Sequence, residues 1–171
     1  MWRRGIYWRC LSELRIVDLR LQIFGAHIVD QNVKISADKN DLKEVAEARL
    51  RDFSILKRSK QYSGAVYMGR FVVEVFLKCL ICKKIGQAKL HKVFHSHDLE
   101  FLLFFTGLEK QLRTTANEKR LASFMKINAH TVDDLRYRNP QKVTESDCND
   151  WNRWLNDENE GVVPWLRKKL K

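Results

Sequence analysis

Apolar residues recur at helical spacing from residue 39 onwards and predict two long helices at the start of this region. The first spans about residues 40–59 and is amphipathic, with one apolar face and one charged face. Its apolar positions are Leu42, Val45, Ala46, Phe53 and Leu56. The second spans residues 61–85, where apolar side chains surround the helix almost completely. Such a helix belongs at the centre of a bundle.

Glycines mark where the second helix approaches a neighbour and where it ends. Gly64 and Gly69 lack a β-carbon and are expected to let another helix come close. Gly86 follows the last apolar position and is expected to end the helix in a left-handed conformation.

Shorter helical segments follow. Ser96 is the expected N-cap of a helix that Gly107 ends. The next helix is expected at about 108–128, with a break near Thr114 as an alternative. Residues 129–143 are predicted to form a loop.

The last part of the chain predicts one more helical region, which a proline interrupts. Thr144 is its expected N-cap. Pro164 is expected to kink or split it, because proline lacks the backbone N–H and clashes with the preceding turn. Together the segments predict an all-α fold, an antiparallel bundle of four to five helices over residues 39–171.

Residues 1–38 form an N-terminal extension whose structure the pattern leaves open. Val17, Leu19, Leu21 and Ile23 alternate with polar residues, a period that is typical of a strand. A short hairpin, an ordered helix and a poorly ordered extension all remain alternatives for this segment.

Charge and composition narrow the class of protein and of partner. The 171 residues include 32 basic and 21 acidic ones, a formal net charge of +11 that favours an anionic partner such as RNA or a nucleotide. The excess is spread along the chain, and no apolar run is long enough to cross a membrane. No signal peptide or disulfide framework is evident, so a cytoplasmic protein without membrane contact is expected.

One charged feature interrupts the apolar second helix. Arg70, Glu74 and Lys78 are spaced four residues apart and therefore share one face. Three charges in a buried helix need partners or a water-filled cleft. A structural ion-pair ladder is one interpretation, with Glu74 between the two cations or paired with Arg136. The wall of a binding cleft or a dimer interface is the other.

Two cysteines and two nearby histidines allow two interpretations, a metal site or buried thiols. Cys79 and Cys82 form a CxxC whose cysteines, three apart on a helix, can share one metal, and His95 and His97 can complete the site. The cysteines lie in the most apolar helix, which favours structural thiols. We therefore expect no metal and no cofactor.

Four motifs in order resemble those of HEPN domains. The stretch "YSGAVYMGRFVVEVFLKCLI" is similar to the second helix of the family, and the charged "AEARLRDFSILKRSK" before it to the first. "HSHDLEFLLFFTGL" resembles the start of the third helix, and "DLRYRNP" resembles an Arg-Tyr loop, here at Arg136 and Tyr137. The resemblance covers about residues 39–171.

The resemblance implies a helical bundle, often a homodimer, from toxin–antitoxin or phage-defence systems and often encoded beside a nucleotidyltransferase. Many members are metal-independent ribonucleases with an arginine and, four to six residues later, a histidine. No histidine follows Arg136 or Arg138 at that distance, although Asn139 is a polar neighbour. Arg20 and His27 do have this spacing, but about one such match is expected by chance in a chain of this composition. His130 precedes Arg136 in the reverse order and approaches it only if a loop folds back.

Three hypotheses follow. The leading one is a non-catalytic HEPN-like module that binds RNA or a nucleotide, or a nucleotidyltransferase partner. Its candidate ligand-binding residues are Arg70, Glu74, Lys78, Arg136, Tyr137, Arg138 and Asn139. An endoribonuclease toxin with a degenerate site at Arg136, Arg138, Asn139 and His130 is the second, and a structural interaction domain is the third. A neighbouring nucleotidyltransferase gene would favour the first over the third.

Overall fold

The computed structural model describes residues 38–171, and helices account for most of them. Across this range there is no β-strand, and an isolated bridge joins Asp38 to Lys89. The all-α prediction is therefore confirmed. The α-helices are α1 (Lys39–Arg58), α2 (Tyr62–Ile85), α3 (Leu99–Thr106), α4 (Glu109–Leu112), α5 (Glu118–Asn128), α6 (Val132–Tyr137), α7 (Glu145–Asn156) and α8 (Val162–Leu170). The alternatives weighed for residues 1–37 lie outside the described residues.

Helix α2 is the centre of the bundle, as its apolar pattern predicts. Every residue from Val72 to Cys82 is buried, and α2 packs against α1, α3, α6, α7 and α8. Only three residues join α1 to α2, so the two helices run antiparallel. Gly86 ends α2 with φ 68°, the left-handed conformation expected of it.

Gly69 lies where α1 and α7 both reach α2. A β-carbon there would stand 2.7 Å from Cδ1 of Leu155 and 3.2 Å from both Phe53 and Trp151. At Gly64 the nearest side-chain atom, from Leu56, would be 3.5 Å away, which is ordinary contact. The expectation of a close approach is thus confirmed for Gly69.

These two glycines give a matched pair of substitutions. Gly69→Ala is expected to lower the free energy of unfolding by about 1–3 kcal/mol, because the packed side chains must move. Gly64→Ala is expected to raise it by up to about 1 kcal/mol, because alanine favours the helix and meets no clash. Urea denaturation of both variants tests this. Equal stability of the two would show that the close packing at Gly69 does not matter.

The helix caps between α3 and α5 agree with the prediction except at the start of α3. The N-cap of α3 is Asp98, whose Oδ1 accepts hydrogen bonds from the backbone N–H groups of Glu100 and Phe101. The prediction of Ser96 as N-cap was wrong, and Ser96 instead accepts from the N–H of Asp98 at 3.0 Å. Helix α4 ends at Leu112, before Thr114, so the expected break is confirmed.

Residues 129–143 were predicted to be a loop, and this was wrong. They contain α6, which begins at a capping box in which Thr131 and Asp134 bond each other's backbone N–H. A 3-10 turn, Pro140–Lys142, follows it. The capping box stabilises a helix of six residues that carries too few apolar positions to show a period.

The last two helices are separated as the proline suggested, but at an earlier point. Thr144 caps α7 through a second capping box with Asp147, as expected. Helix α7 ends at Asn156, and Pro164 lies in the first turn of α8, where its missing N–H removes no helical hydrogen bond. In the part of the chain that the structure describes, no helix is long and apolar enough to cross a membrane.

Candidate functional site

The charged face of α2 is a buried network centred on Glu74. Glu74 is fully buried, and its Oε1 lies 2.7 Å from Nζ of Lys78. Its Oε2 lies 3.6 Å from Nη1 of Arg70. The prediction that Glu74 lies between these two cations is confirmed, and Arg136 does not pair with it. The burial of all three side chains favours a supporting role over direct contact with a ligand.

His97 completes this network from outside α2. Its Nδ1 lies 3.0 Å from both carboxylate oxygens of Glu74, from the turn that leads into α3. Sequence reasoning placed His97 at a helix start and did not assign it to the charged cluster. The only available signal was its position next to Asp98, the residue that caps α3.

Arg70 ties two turns of the chain to the central helix. Its Nε donates to the carbonyl of His130 at 2.6 Å, and its Nη2 donates to the carbonyl of His97 at 2.8 Å. Burial lowers the pKa of Arg70, and the Glu74 carboxylate opposes that shift. The guanidinium thus fixes the turn before α3 and the turn before α6 in one arrangement.

The turn before α6 carries the most suggestive contact. Nη2 of Arg138 lies 3.1 Å from Nδ1 of His130, so the two ends of α6 are joined by their side chains. Because arginine can only donate, Nδ1 accepts and the proton of the neutral ring is on Nε2. The ring of His130 also packs against Trp151, with 5.6 Å between ring centroids. The histidine therefore approaches Arg138, not Arg136.

His130 is held neutral by its surroundings. Burial is the largest cause that lowers its pKa, and the neighbouring Arg138 charge adds to the effect. Asp134 and Asp147 oppose the shift, and Arg70 reinforces it.

This shift predicts a pH dependence of stability. As pH falls below the ordinary histidine pKa of 6.5, the unfolded chain takes up the proton before the folded one. The free energy of unfolding is therefore expected to fall between pH 6.5 and the lowered folded pKa. Urea denaturation of wild type and His130→Gln from pH 7 to pH 5 measures this, with exposed His95→Gln as control. A difference between wild type and His130→Gln that stays constant with pH contradicts it.

The remaining loop candidates occupy the surface in different ways. Nη1 of Arg136 lies 3.8 Å from Oδ1 of Asp133, and the neighbouring Tyr67 is the main cause that raises the pKa of Arg136. Tyr137 is 77% exposed. Asn139 uses its Oδ1 to accept from the N–H of Gln141, so it caps the 3-10 turn. Arg136 and Tyr137 are thus available to a ligand, whereas Asn139 is already engaged.

The cysteines do not gather into a metal site in the described part of the chain. No group of three or more His, Cys, Asp or Glu side chains that could hold a metal lies within residues 38–171. Cys79 donates to the carbonyl of Lys39, and burial raises the pKa of Cys82 to about 11. Both thiols are thus protonated at neutral pH and unsuited to binding a metal as thiolates.

Comparison with known proteins gave no relative: no family model, no curated protein and no solved structure matches the chain.

Proposed function

We propose that the protein binds RNA through its phosphate groups, at a surface formed by His130, Arg136, Tyr137 and Arg138, hereafter the α6 surface. The observation that carries this proposal is the contact between Arg138 and His130. It joins the cationic guanidinium of Arg138 to the neutral ring of His130, whose Nε2–H can donate to a phosphate oxygen. Two half-exposed or exposed neighbours, Arg136 and Tyr137, lie on the same short helix.

The chemistry of these groups suits a single-stranded polyanion. Guanidinium groups donate charge-assisted hydrogen bonds to phosphate oxygens. An exposed tyrosine ring such as that of Tyr137 can stack on a base without reading its sequence. The chain's net charge of +11 adds a general attraction to nucleic acid. The proposal thus uses every exposed group of α6 that the sequence singled out, with Asn139 left as a cap.

The buried network of Arg70, Glu74 and Lys78 holds this surface in position from the core side. Arg70 holds the carbonyl of His130, and Glu74 with Lys78 holds Arg70 in place. These three residues, candidates for direct binding on sequence grounds, serve in this proposal as positioning residues.

The same geometry favours binding over cleavage. Ribonuclease chemistry needs a base that takes the proton of the 2′-hydroxyl. With Nδ1 of His130 accepting from Arg138, Nε2 carries a proton and the neutral ring offers no free lone pair. Arg136 and Arg138 stay protonated and cannot act as the base.

An endoribonuclease is the second candidate, because an arginine and a histidine do meet at 3.1 Å. Incubation with single-stranded RNA and a chelator separates the two functions. We expect no cleavage by the wild type. Cleavage that disappears in both His130→Ala and Arg138→Ala would establish the enzyme instead.

The resemblance to HEPN domains stays a prediction. So do the homodimer, the nucleotidyltransferase partner, the toxin–antitoxin or defence context and the cytoplasmic location that were expected from the sequence. An RNA-binding module of this kind is compatible with each of them, and the RNA experiment below does not depend on any.

Fluorescence anisotropy with a labelled single-stranded RNA over a series of salt concentrations tests the binding proposal. Arg138→Gln is expected to lower the affinity about tenfold, and to reduce the salt slope by about 0.7 for the lost phosphate contact. Arg113→Gln, an exposed arginine beyond α4, is the matched control. Absence of binding at low salt, or equal loss in the two variants, would refute the proposal.

A further inference from the structure

A cleft of about 350 Å³ opens elsewhere on the helical bundle, where α1 ends, α2 begins and α7 passes. Its volume is within the range typical of small-ligand sites. The residues that line it are Ser54, Lys57, Arg58, Lys60, Tyr62, Glu145 and Asn152.

Positive charge dominates this cleft. Lys57, Arg58 and Lys60 face a single carboxylate, Glu145. Within residues 38–171, no ion pair neutralises any of the three cations. Cations in the last turn of a helix interact favourably with its dipole, which accounts for Lys57 and Arg58 without a ligand. The third cation needs another explanation.

Lys60 adopts a backbone conformation that lysine disfavours. Its φ is 59°, and it is the one non-glycine residue with positive φ in the described part of the chain. The N–H of Lys60 bonds the carbonyl of Lys57, and that of Gln61 bonds the carbonyl of Leu56, which is the pattern of a Schellman motif. Glycine is the usual residue at this position, so a lysine here is strained. The residue held in this strained conformation is one of the cations that line the cleft.

The neighbours of the cations define the remainder of a ligand. Tyr62 and Glu145 both line the cleft, and burial together with the Glu145 carboxylate raises the pKa of Tyr62. Glu145 can accept from a ribose hydroxyl, and the amide of Asn152 can both donate and accept. Three cations match a phosphomonoester, which carries about −1.5 to −2 charges, better than a phosphodiester with one.

We propose that this cleft binds a terminal phosphate of RNA. That RNA is the source rests on the proposed function, and it is favoured because α7 borders both sites. Glu145 and Asn152 of α7 line the cleft, while Trp151 of the same helix packs its ring against that of His130. A strand bound at the α6 surface thus lies beside the helix that lines the cleft. A free nucleotide offers the same phosphate and is the alternative source.

Anisotropy with one RNA sequence in three forms tests this: 5′-phosphorylated, 3′-phosphorylated and without a terminal phosphate. For the wild type, one of the phosphorylated strands is expected to bind about tenfold more tightly than the unphosphorylated one. Lys60→Gly is expected to abolish that preference while it raises the urea midpoint of unfolding, because glycine relieves the strain. Lys60→Arg is expected to keep the preference, and Lys43→Gln on α1 serves as the neutral control.

The outcomes separate the two sites. Arg138→Gln is expected to weaken all three strands alike and to leave the preference intact. Equal affinity of the wild type for all three strands overturns the terminal-phosphate site, whatever becomes of the α6 surface. If no strand binds, a titration with a nucleoside 5′-monophosphate decides. Binding that Lys60→Gly abolishes assigns the cleft to a free nucleotide and overturns RNA as the source, and no binding overturns the cleft as a phosphate site.

Discussion

Replacement of Glu74 by alanine is expected to lower the free energy of unfolding by about 3–5 kcal/mol, the range for one partner removed from a buried ion pair. The carboxylate is fully buried and contacts two cations whose side chains are 5% and 11% exposed. Without it, Arg70 and Lys78 keep their charges where little water reaches them. Arg70 then has only its two carbonyl contacts, and the desolvation of both cations is poorly compensated.

Urea denaturation at neutral pH measures this loss, with two companion variants. Glu74→Gln keeps the shape of the side chain but not its charge, and it is expected to lose most of the same stability. Glu44→Ala, on the exposed face of α1, is expected to change stability by less than about 0.5 kcal/mol. A midpoint for Glu74→Ala that equals the wild-type value would show that the charged face is solvated.

Long helices were predictable because each repeats its pattern many times. Helix α2 carries its apolar residues over 24 positions, and its end coincides with a glycine. Helix α6 has six residues, of which Leu135 alone is buried, so no period can be recognised. Its stability comes from the capping box between Thr131 and Asp134. A short helix of this kind is visible in sequence only as a capping motif.

In the charged cluster, likewise, the contacts within one helix were predictable and those between distant residues were not. The pairs of Glu74 with Arg70 and Lys78 follow from the spacing of four residues within one helix. The contact with His97 spans 23 residues, and that of Arg70 with His130 spans 60. Such contacts depend on how the helices pack, and no local pattern encodes them.

The choice of Arg138 as the partner of His130 has a geometric reason. Side chains two residues apart on a helix point in nearly opposite directions, and Arg138 is the C-cap just beyond the end of α6, so Arg136 and Arg138 meet different neighbours. Arg136 lies 3.8 Å from the Asp133 carboxylate, and Arg138 reaches back to His130, which lies just before the N-cap of α6. The sequence shows both arginines but not which of them the histidine meets.

Contacts run from the core to this surface in an unbroken series. Glu74 lies beside Arg70, Arg70 bonds the carbonyl of His130, and the ring of His130 bonds Arg138. Arg70 is the residue at which the buried network and the α6 surface join. Its guanidinium contacts three groups at once, which an ammonium group on a flexible stem cannot reproduce.

Arg70→Lys is therefore expected to lower the free energy of unfolding by about 2–4 kcal/mol although the charge is kept, because hydrogen bonds from a charged donor to two carbonyls are lost. RNA affinity is expected to fall with it, since the turn that presents His130 loses its anchor. Denaturation and anisotropy on the same preparation measure both effects, with Arg49→Lys at an exposed ion pair as the control. If Arg70→Lys matches the wild type in stability, the two carbonyl contacts contribute nothing. If it unfolds more easily but binds RNA at full affinity under conditions where it is folded, Arg70 has no part in positioning the α6 surface.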